Sequence, residues 1–169
     1  MAVNVFPAAS SGDIWTLLTS ATPTSGAAVN FGSISGYRKL RVQWADIATG
    51  SSAQVAVRIN NVSTTSYHLT YFAEALTGPV KTSSSRVALS NANSTTRHVG
   101  FMEFPTANQS IVQTFGSGFG YNDGASPTRK EIEVLTTISG AITEINVITT
   151  SGDFAAGNTG TIYLYGVAA

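Results

Sequence analysis

Two histidines, His68 and His98, are the residues best suited to metal binding or proton transfer. Each lies in a strand-like segment beside apolar residues, and no His-x-His or His-x₃-His spacing occurs. A metal site needs ligands that converge from several elements, and a catalytic histidine needs a positioned nucleophile or acid. The Gly-x-Ser-x-Gly sequence of a hydrolase nucleophile turn is also missing from the chain. We therefore expect both histidines to be structural or surface residues.

Carboxylates occur in two arrangements that could do chemistry. Asp123 and Asp153 lie in segments rich in Gly, Asn and Ser, and calcium prefers several oxygen ligands from such loops, but neither segment has an EF-hand or nonapeptide pattern. Glu131 and Glu133 are two residues apart, so on a strand they share one face. Glycosidase carboxylates face each other across a cleft instead. The sequence leaves calcium open, predicts a solvated face for the glutamates, and predicts neither a cofactor nor an enzymatic activity.

A glycine-rich run extends from Gly116 to Gly124 and could be read as a phosphate-binding loop. It lacks the Lys-Ser/Thr ending of a P-loop, no helical pattern follows it, and the Gly-x-Gly-x-x-Gly spacing fails. We predict a mobile hairpin loop here. Its aromatic residues Phe115, Phe119 and Tyr121 are expected to cover the end of the core, or alternatively to contact a partner or a sugar.

Charge and composition exclude several classes of partner. Nine basic residues balance nine acidic ones over 169 residues, and no basic stripe is present. Nucleic-acid binding normally needs clustered Lys and Arg to neutralise phosphates, so no nucleic acid is expected as a partner. No segment approaches the roughly 18 consecutive apolar residues of a membrane helix, so no membrane is expected either.

The cysteine count and the N-terminus bear on where the protein is made. The chain has no cysteine, so it can form neither disulfides nor a thiolate metal site. The first residues have no basic region followed by a long apolar run, so we expect no signal peptide and synthesis in a cytoplasm. Residues 1–11 are predicted to be an extended arm because Pro7 disfavours a helix there.

Alternating apolar and polar residues predict an all-β chain. The clearest alternation runs over 37–47, with Leu40, Val42 and Trp44 on one face, and a second follows over 53–60. The flexible segment between them predicts that these two strands form a hairpin. A segment around Gly78-Pro79, 74–85, is predicted to be a loop. About nine or ten strands separated by turn signals, without a helix, predict an all-β sandwich or barrel in one domain over 12–169.

Three segments, taken in order, resemble a pattern found in structural proteins of tailed bacteriophages. They are Leu-Arg-Val-Gln-Trp at 40–44, Val-Ala-Val-Arg-Ile-Asn-Asn at 55–61 followed by Tyr67, and Phe-Ala-Ala-Gly at 154–157 leading to Gly-Thr-Ile-Tyr-Leu-Tyr-Gly-Val at 160–167. In that pattern a strand pair ending in an Ile-Asn turn and a Tyr comes early. A polar loop and a Gly-Thr-Ile-x-Leu-Tyr-Gly closing strand come last.

The resemblance implies a jelly-roll-like domain of the virion, either a capsid decoration (cement) protein or part of a tail fibre or tail tip. The short chain, without a shaft-like segment, favours a homotrimeric decoration protein that binds the major capsid protein on the outer surface of the capsid. Val3, Val5 and Phe6 are the candidate partner contacts, because exposed apolar residues on an arm need a partner. The alternative is a tail module that binds host carbohydrate through exposed Trp15 or Tyr121. The resemblance implies no catalytic residue.

Overall fold

The computed structural model describes residues 13–73, 78–89, 97–108, 114–123 and 128–169. These residues contain no helix, and so none long and apolar enough to cross a membrane. They form twelve strands: β1 (Thr16–Ala21), β2 (Ala28–Phe31), β3 (Tyr37–Ala48), β4 (Val55–Ile59), β5 (Tyr67–Ala73), β6 (Val80–Ser84), β7 (Val87–Ala88), β8 (Arg97–Phe104), β9 (Thr114–Asn122), β10 (Thr128–Thr136), β11 (Ile145–Thr149) and β12 (Thr161–Ala168).

Two antiparallel sheets form a jelly roll. The larger has eight strands in the order β1-β12-β3-β8-β9-β10-β5-β6, and the smaller has four in the order β2-β11-β4-β7. The chain alternates between the two sheets over its first four strands. The two interlocked Greek keys of a jelly roll consist of two four-stranded sets, β1-β12-β3-β8 in the large sheet and β2-β11-β4-β7 in the small sheet. The inserted pairs β5-β6 and β9-β10 extend the large sheet beyond that unit. The predicted all-β, jelly-roll-like sandwich is confirmed.

The predicted hairpin between 37–47 and 53–60 is wrong. Strand β3 pairs with β12 and β8 in the large sheet, whereas β4 pairs with β11 and β7 in the small sheet. Both strands carry alternating apolar residues because they face each other across the core, about 10 Å apart in a sandwich. The connection crosses between the sheets, where Gly50 N–H donates to the Asp153 carbonyl at 2.9 Å and Thr49 bridges to Phe154.

The predicted mobile loop at the glycine run is also wrong, since Gly116, Gly118 and Gly120 belong to strand β9. Their spacing of two places all three on the inner face of the sheet. A Cβ added at Gly118 would lie 3.0 Å from the Leu89 side chain, and one added at Gly120 would overlap the Leu89 carbonyl group. Glycine therefore lets the backbone after β7 approach β9 closely.

The motifs that carry the phage resemblance fix turns and core contacts in this structure. Asn60 has a left-handed φ of 51°, its Oδ1 accepts from Thr143 N–H at 2.8 Å, and its Nδ2 donates to the Ala141 carbonyl at 2.9 Å. The Tyr67 hydroxyl accepts from Ile59 N–H at 3.0 Å. Asparagine suits this position because its short polar side chain tolerates the left-handed region. The motif therefore holds the passage from β4 to β5 in place.

The predicted closing strand at 160–167 is confirmed as β12. It lies between β1 and β3, with Ile162 and Leu164 buried in the core and Tyr163 and Tyr165 on the outer face of the large sheet. Just before it, the Asn158 side-chain oxygen accepts from Gly160 N–H at 3.0 Å.

Candidate binding face on the eight-stranded sheet

The outer face of the large sheet, the face turned away from the small sheet, carries two adjacent cross-strand rows. In the aromatic row, Glu131 of β10 pairs with Phe72 of β5, and Phe101 of β8 lies at the corresponding position two strands from Glu131 on the other side. In the hydroxyl row, Ser117 of β9 pairs with Glu133, which pairs with Thr70. Each member of one row is two residues from its neighbour in the other, so both rows share this face.

A shallow groove of about 420 Å³ lies along these rows, lined by Phe72, Phe101, Thr70, Ser117 and both glutamates. Phe72 is 54% exposed, although burial of an aromatic side chain removes a large apolar area from water. A second depression of about 600 Å³ shares Thr70 with the first and continues toward β6. Ligand sites commonly enclose about 300–1,000 Å³, with apolar walls and a few placed polar groups.

The two groove carboxylates differ in their neighbours. Glu131 forms an ion pair with Arg129. Within the described ranges of the chain, no Lys, Arg or His nitrogen lies within ion-pair distance of Glu133. Both side chains are exposed, as predicted, and both project from the same face of β10. The groove therefore has a negative wall, with one carboxylate available to accept hydrogen bonds from a ligand.

Arg41 stiffens the middle of the outer face. Its guanidinium carbon lies 4.8 Å from the centroid of the Trp15 ring and 5.5 Å from that of Phe101, and the side chain pairs with Glu103. Cation–π contacts of this kind contribute about 0.5–1 kcal/mol at exposed sites. The Phe101 side of the groove is thus fixed by its neighbours before any ligand arrives.

At the opposite end of the large sheet, three apolar residues near the start of β1 make up the β1 patch: Ile14, Trp15 and Leu17. Trp15 and Leu17 are two residues apart and share the outer face, whereas Ile14 lies just before the strand. Ile14 is 73% and Leu17 50% exposed. Asp13, just before the patch, accepts hydrogen bonds from Lys39 and from Arg38 at 2.5 Å. These two cations hold the pKa of the Asp13 carboxyl below its usual range, so the aspartate anchors this segment to β3.

Of the residues predicted to contact partners, the structure describes Trp15 and Tyr121. Val3, Val5 and Phe6, with the whole predicted arm 1–11, lie outside the described residues. Tyr121 is on the outer face of β9 rather than at a loop end, and Trp15 packs against Arg41. Sequence reasoning did not single out Phe72 or the hydroxyl row. The sequence signal that could have identified this face was the alternation of inward and outward residues over 67–73 and 97–104, which places aromatic side chains on an outward face.

The two histidines occupy contrasting environments. His68 is exposed on β5, with its Nδ1 3.0 Å from the Ser83 hydroxyl. His98 is fully buried on β8, and burial lowers its pKa from 6.5 to about 4 despite the opposing effect of Asp123. No cluster of three or more potential metal-ligating side chains lies within the described part of the chain. The Asp123 carboxylate accepts from Arg97 N–H at 2.6 Å.

We expect folding stability to fall as the pH is lowered from about 6.5 to about 4, because His98 is neutral in the fold. In that window the unfolded histidine binds a proton and the folded one does not, so acid favours unfolding. A pKa lowered to about 4 corresponds to about 3 kcal/mol. Urea unfolding at several pH values measures the loss. The variant His98→Gln should flatten the slope, and the matched His68→Gln should retain it; an equal slope in both would contradict the prediction.

The fold and this face define a jelly-roll domain with a groove on its exposed sheet. No protein-family model matches the chain, and no curated protein sequence matches it. Among solved structures, the chain is similar to the marine PL-14 alginate lyase from Aplysia kurodai, at 11% identity over 80% of this chain and 70% of that chain, with a TM-score of 0.32. A likeness that low carries no argument, so function has to be argued from the site.

Proposed function

We propose that this protein is a structural protein of a tailed-phage virion, a homotrimeric capsid decoration protein that binds the major capsid protein on the outside of the shell. The resemblance of the motifs at 40–44, 55–61 and 160–167 motivates the proposal. The observation that carries it is the β1 patch, where Ile14 and Leu17 are exposed directly after the arm. Exposed apolar side chains that continue an apolar arm favour docking on another protein.

The proposed mechanism is mechanical. The two packed sheets supply a rigid body, and the arm with the β1 patch bridges neighbouring capsid subunits and offsets the outward pressure of packaged DNA. Burying the exposed parts of Ile14 and Leu17 would contribute about 1–2 kcal/mol each. The formal net charge of zero gives little long-range repulsion from a shell of either sign.

We propose no catalytic role. Glu131 and Glu133 are two residues apart, and they project from one side of one strand. Acid–base hydrolysis of a glycosidic bond needs two carboxyl groups that flank the bond. The proposed role is therefore binding alone.

We expect the double change Ile14→Ser with Leu17→Ser to weaken binding to shells of the major capsid protein at least tenfold. The lost apolar contact, about 1–2 kcal/mol for each residue, is the physical reason. Co-sedimentation with shells lacking the protein measures it. Leu135→Ser is the matched control, because Leu135 is 40% exposed at the other end of the same sheet. Deletion of residues 2–11 tests Val3, Val5 and Phe6 in the same assay.

Retention of full binding by the double variant, or equal loss in the Leu135 control, would contradict docking through the β1 patch. Light scattering on each variant shows whether lost binding reflects a lost trimer. A wild-type chain that stays monomeric at all concentrations would contradict the trimeric form of the proposal.

The second candidate function is a tail-fibre or tail-tip module that binds host carbohydrate, and the groove favours it. In that case Phe72 and Glu133 make the contacts, and the β1 patch joins the domain to the rest of the fibre. In both candidate functions the β1 patch docks on another protein. That protein is the major capsid protein in the first and the rest of the fibre in the second, and co-sedimentation with shells distinguishes the two.

A further inference from the structure

We propose that the groove on the outer face of the large sheet binds a neutral saccharide of at least two sugar units. The groove lies on β5, β9 and β10 with one wall on β8, whereas the β1 patch is at the other end of the sheet. Four strands lie between β1 and β10 in the sheet, at about 4.8 Å a step. The Phe101 wall is nearer, because Arg41 contacts both the Trp15 ring of the β1 patch and the Phe101 ring. The part of the groove on β5 and β10 is therefore the part farthest from a partner docked on the β1 patch.

The aromatic row places an exposed apolar ring beside a carboxylate. Phe72 is 54% exposed and lies next to Glu131 across the strands, so an apolar ring and a carboxylate meet at one edge. A pyranose ring has an apolar face of C–H groups and a rim of hydroxyls. An exposed aromatic ring covers the first, and carboxylates accept charge-assisted hydrogen bonds from the second. The aromatic row is thus suited to stacking a sugar.

The hydroxyl row offers hydrogen-bond donors as well as acceptors. Glu133 has a serine on one side, Ser117, and a threonine on the other, Thr70. Each hydroxyl both donates and accepts, whereas the carboxylate only accepts. Such a set can satisfy the mixed donors and acceptors of sugar hydroxyls. No Lys or Arg is among the described residues that line the groove beside Glu133, and the row reaches a cation, Lys81, only on the far side of Thr70.

Charge selects among saccharides. An anionic sugar would meet Glu133, which has no cation within ion-pair distance in the described ranges of the chain, and like charges at close range are repelled. A neutral sugar meets no such penalty. The depression that continues toward β6 adds His68, Lys81 and Ser83 to the same face, which gives room for a second unit. We therefore assign the position beside Glu133 to an uncharged sugar unit. The exclusion of uronates applies to that position and not to the depression that Lys81 lines.

Binding is tested on the whole protein with a defined panel of probes. Neutral dextran, galactan and mannan hexasaccharides and N-acetylglucosamine hexamer form one arm, and an alginate hexamer of uronates forms the other. Ligand-observed saturation-transfer NMR detects binding, and calorimetry measures the affinity of any positive. We expect at least one neutral probe to bind, the alginate hexamer not to bind, and the chain length of every probe to stay unchanged.

Variants locate the site. Phe72→Ala should weaken the positive probe at least tenfold, and Glu133→Gln should weaken it several-fold while admitting the uronate more readily. Leu17→Ser is the matched control, because Leu17 is 50% exposed on the same sheet but in the β1 patch. It should leave saccharide binding unchanged, just as Leu135→Ser should leave shell binding unchanged. A melting curve for each variant establishes that the fold is intact.

Several results would overturn the assignment. They are failure of all neutral probes to bind, preference for the alginate hexamer, binding that Phe72→Ala leaves intact, or shortening of a probe. Occupation of the groove by a second copy of the chain, seen as a concentration-dependent dimer that Phe72→Ala abolishes, would also overturn it. None of these results bears on shell binding through the β1 patch, so the two proposals fail separately.

Discussion

A chain that ends at Thr159 is expected to be insoluble, or soluble without a cooperative unfolding transition. It lacks β12, which is hydrogen-bonded to β1 on one side and β3 on the other. Without it, β1 has no partner strand and the large sheet begins at β3 with an unpaired edge. Unpaired edges beside exposed apolar surface promote aggregation.

The energetic cost of that deletion is comparable with the whole stability of a domain. Ile162, Leu164 and Val167 are buried, and each contributes about 1.5–3 kcal/mol by leaving water. Native domains are stable by only about 5–15 kcal/mol, so losing three such side chains together with two ladders of hydrogen bonds removes the margin. Circular dichroism during heating measures the loss of cooperativity.

The control is a chain that ends at Val167. It lacks only the exposed Ala168 and Ala169 and keeps all three buried side chains of β12. We expect it to melt cooperatively within a few degrees of the full chain. A soluble truncate ending at Thr159 that also melts cooperatively would show that the remaining strands form a core of their own.

Sequence reasoning located those elements whose burial alternates. Strand β3 was predicted over 37–47 and is found at Tyr37–Ala48, and the closing strand was predicted one residue early. Burial alternates over 40–44 in β3 and over 161–166 in β12, so apolar and polar types alternate visibly in those parts of the chain. The all-β class followed from the same signal repeated along the chain, because side chains on a half-buried strand alternate between core and solvent.

Strand β6 was not predicted, because its residues do not alternate between buried and exposed positions. Val80–Ser84 has no buried residue, since it is an edge strand that pairs only with β5. A strand without a core-facing side has no hydrophobic period to read. The predicted loop over 74–85 was accordingly wrong within Val80–Ser84. Pairing with β5 forms this strand, and pairing is a long-range property that local composition does not carry.

Local sequence patterns also did not predict which strands pair with each other. The pattern of β3 and β4 fits a hairpin and a sheet-to-sheet crossover equally well, because both arrangements bury every second residue. The choice is made by β11 and β12, which come about a hundred residues later and pair with β4 and β3 respectively. The groove follows from this topology, since β5 comes to lie beside β10 only in the folded sheet.

Glycines in β9 were misread because glycine usually marks a turn. Their period of two was the available signal, since turns need no such spacing and a strand face does. Gly116, Gly118 and Gly120 all face the layer that contains Leu89. Their lack of a side chain is thus a packing requirement.

Gly120→Ala is expected to destabilise the fold by about 3 kcal/mol or more, although it adds a single methyl group. The new Cβ would overlap the carbonyl group of Leu89, which is main chain and cannot rotate away as a side chain can. Either β9 or the segment after β7 has to move, and overpacking that forces backbone shifts costs about 1–3 kcal/mol or more. Alanine favours a strand slightly over glycine, so the sign of the effect comes from this contact alone.

Gly32→Ala is the matched control, since an added Cβ there meets no atom within 4 Å and its φ is not left-handed. The same chemical change should alter stability by less than about 1 kcal/mol. Urea unfolding of both variants against the parent measures the difference. Gly118→Ala should fall between them, because its Cβ would lie 2.8 Å from the Phe101 carbonyl oxygen. Equal stability of the Gly120 and Gly32 variants would mean that the Leu89 segment yields freely, and β9 would then owe its glycines to something other than close packing.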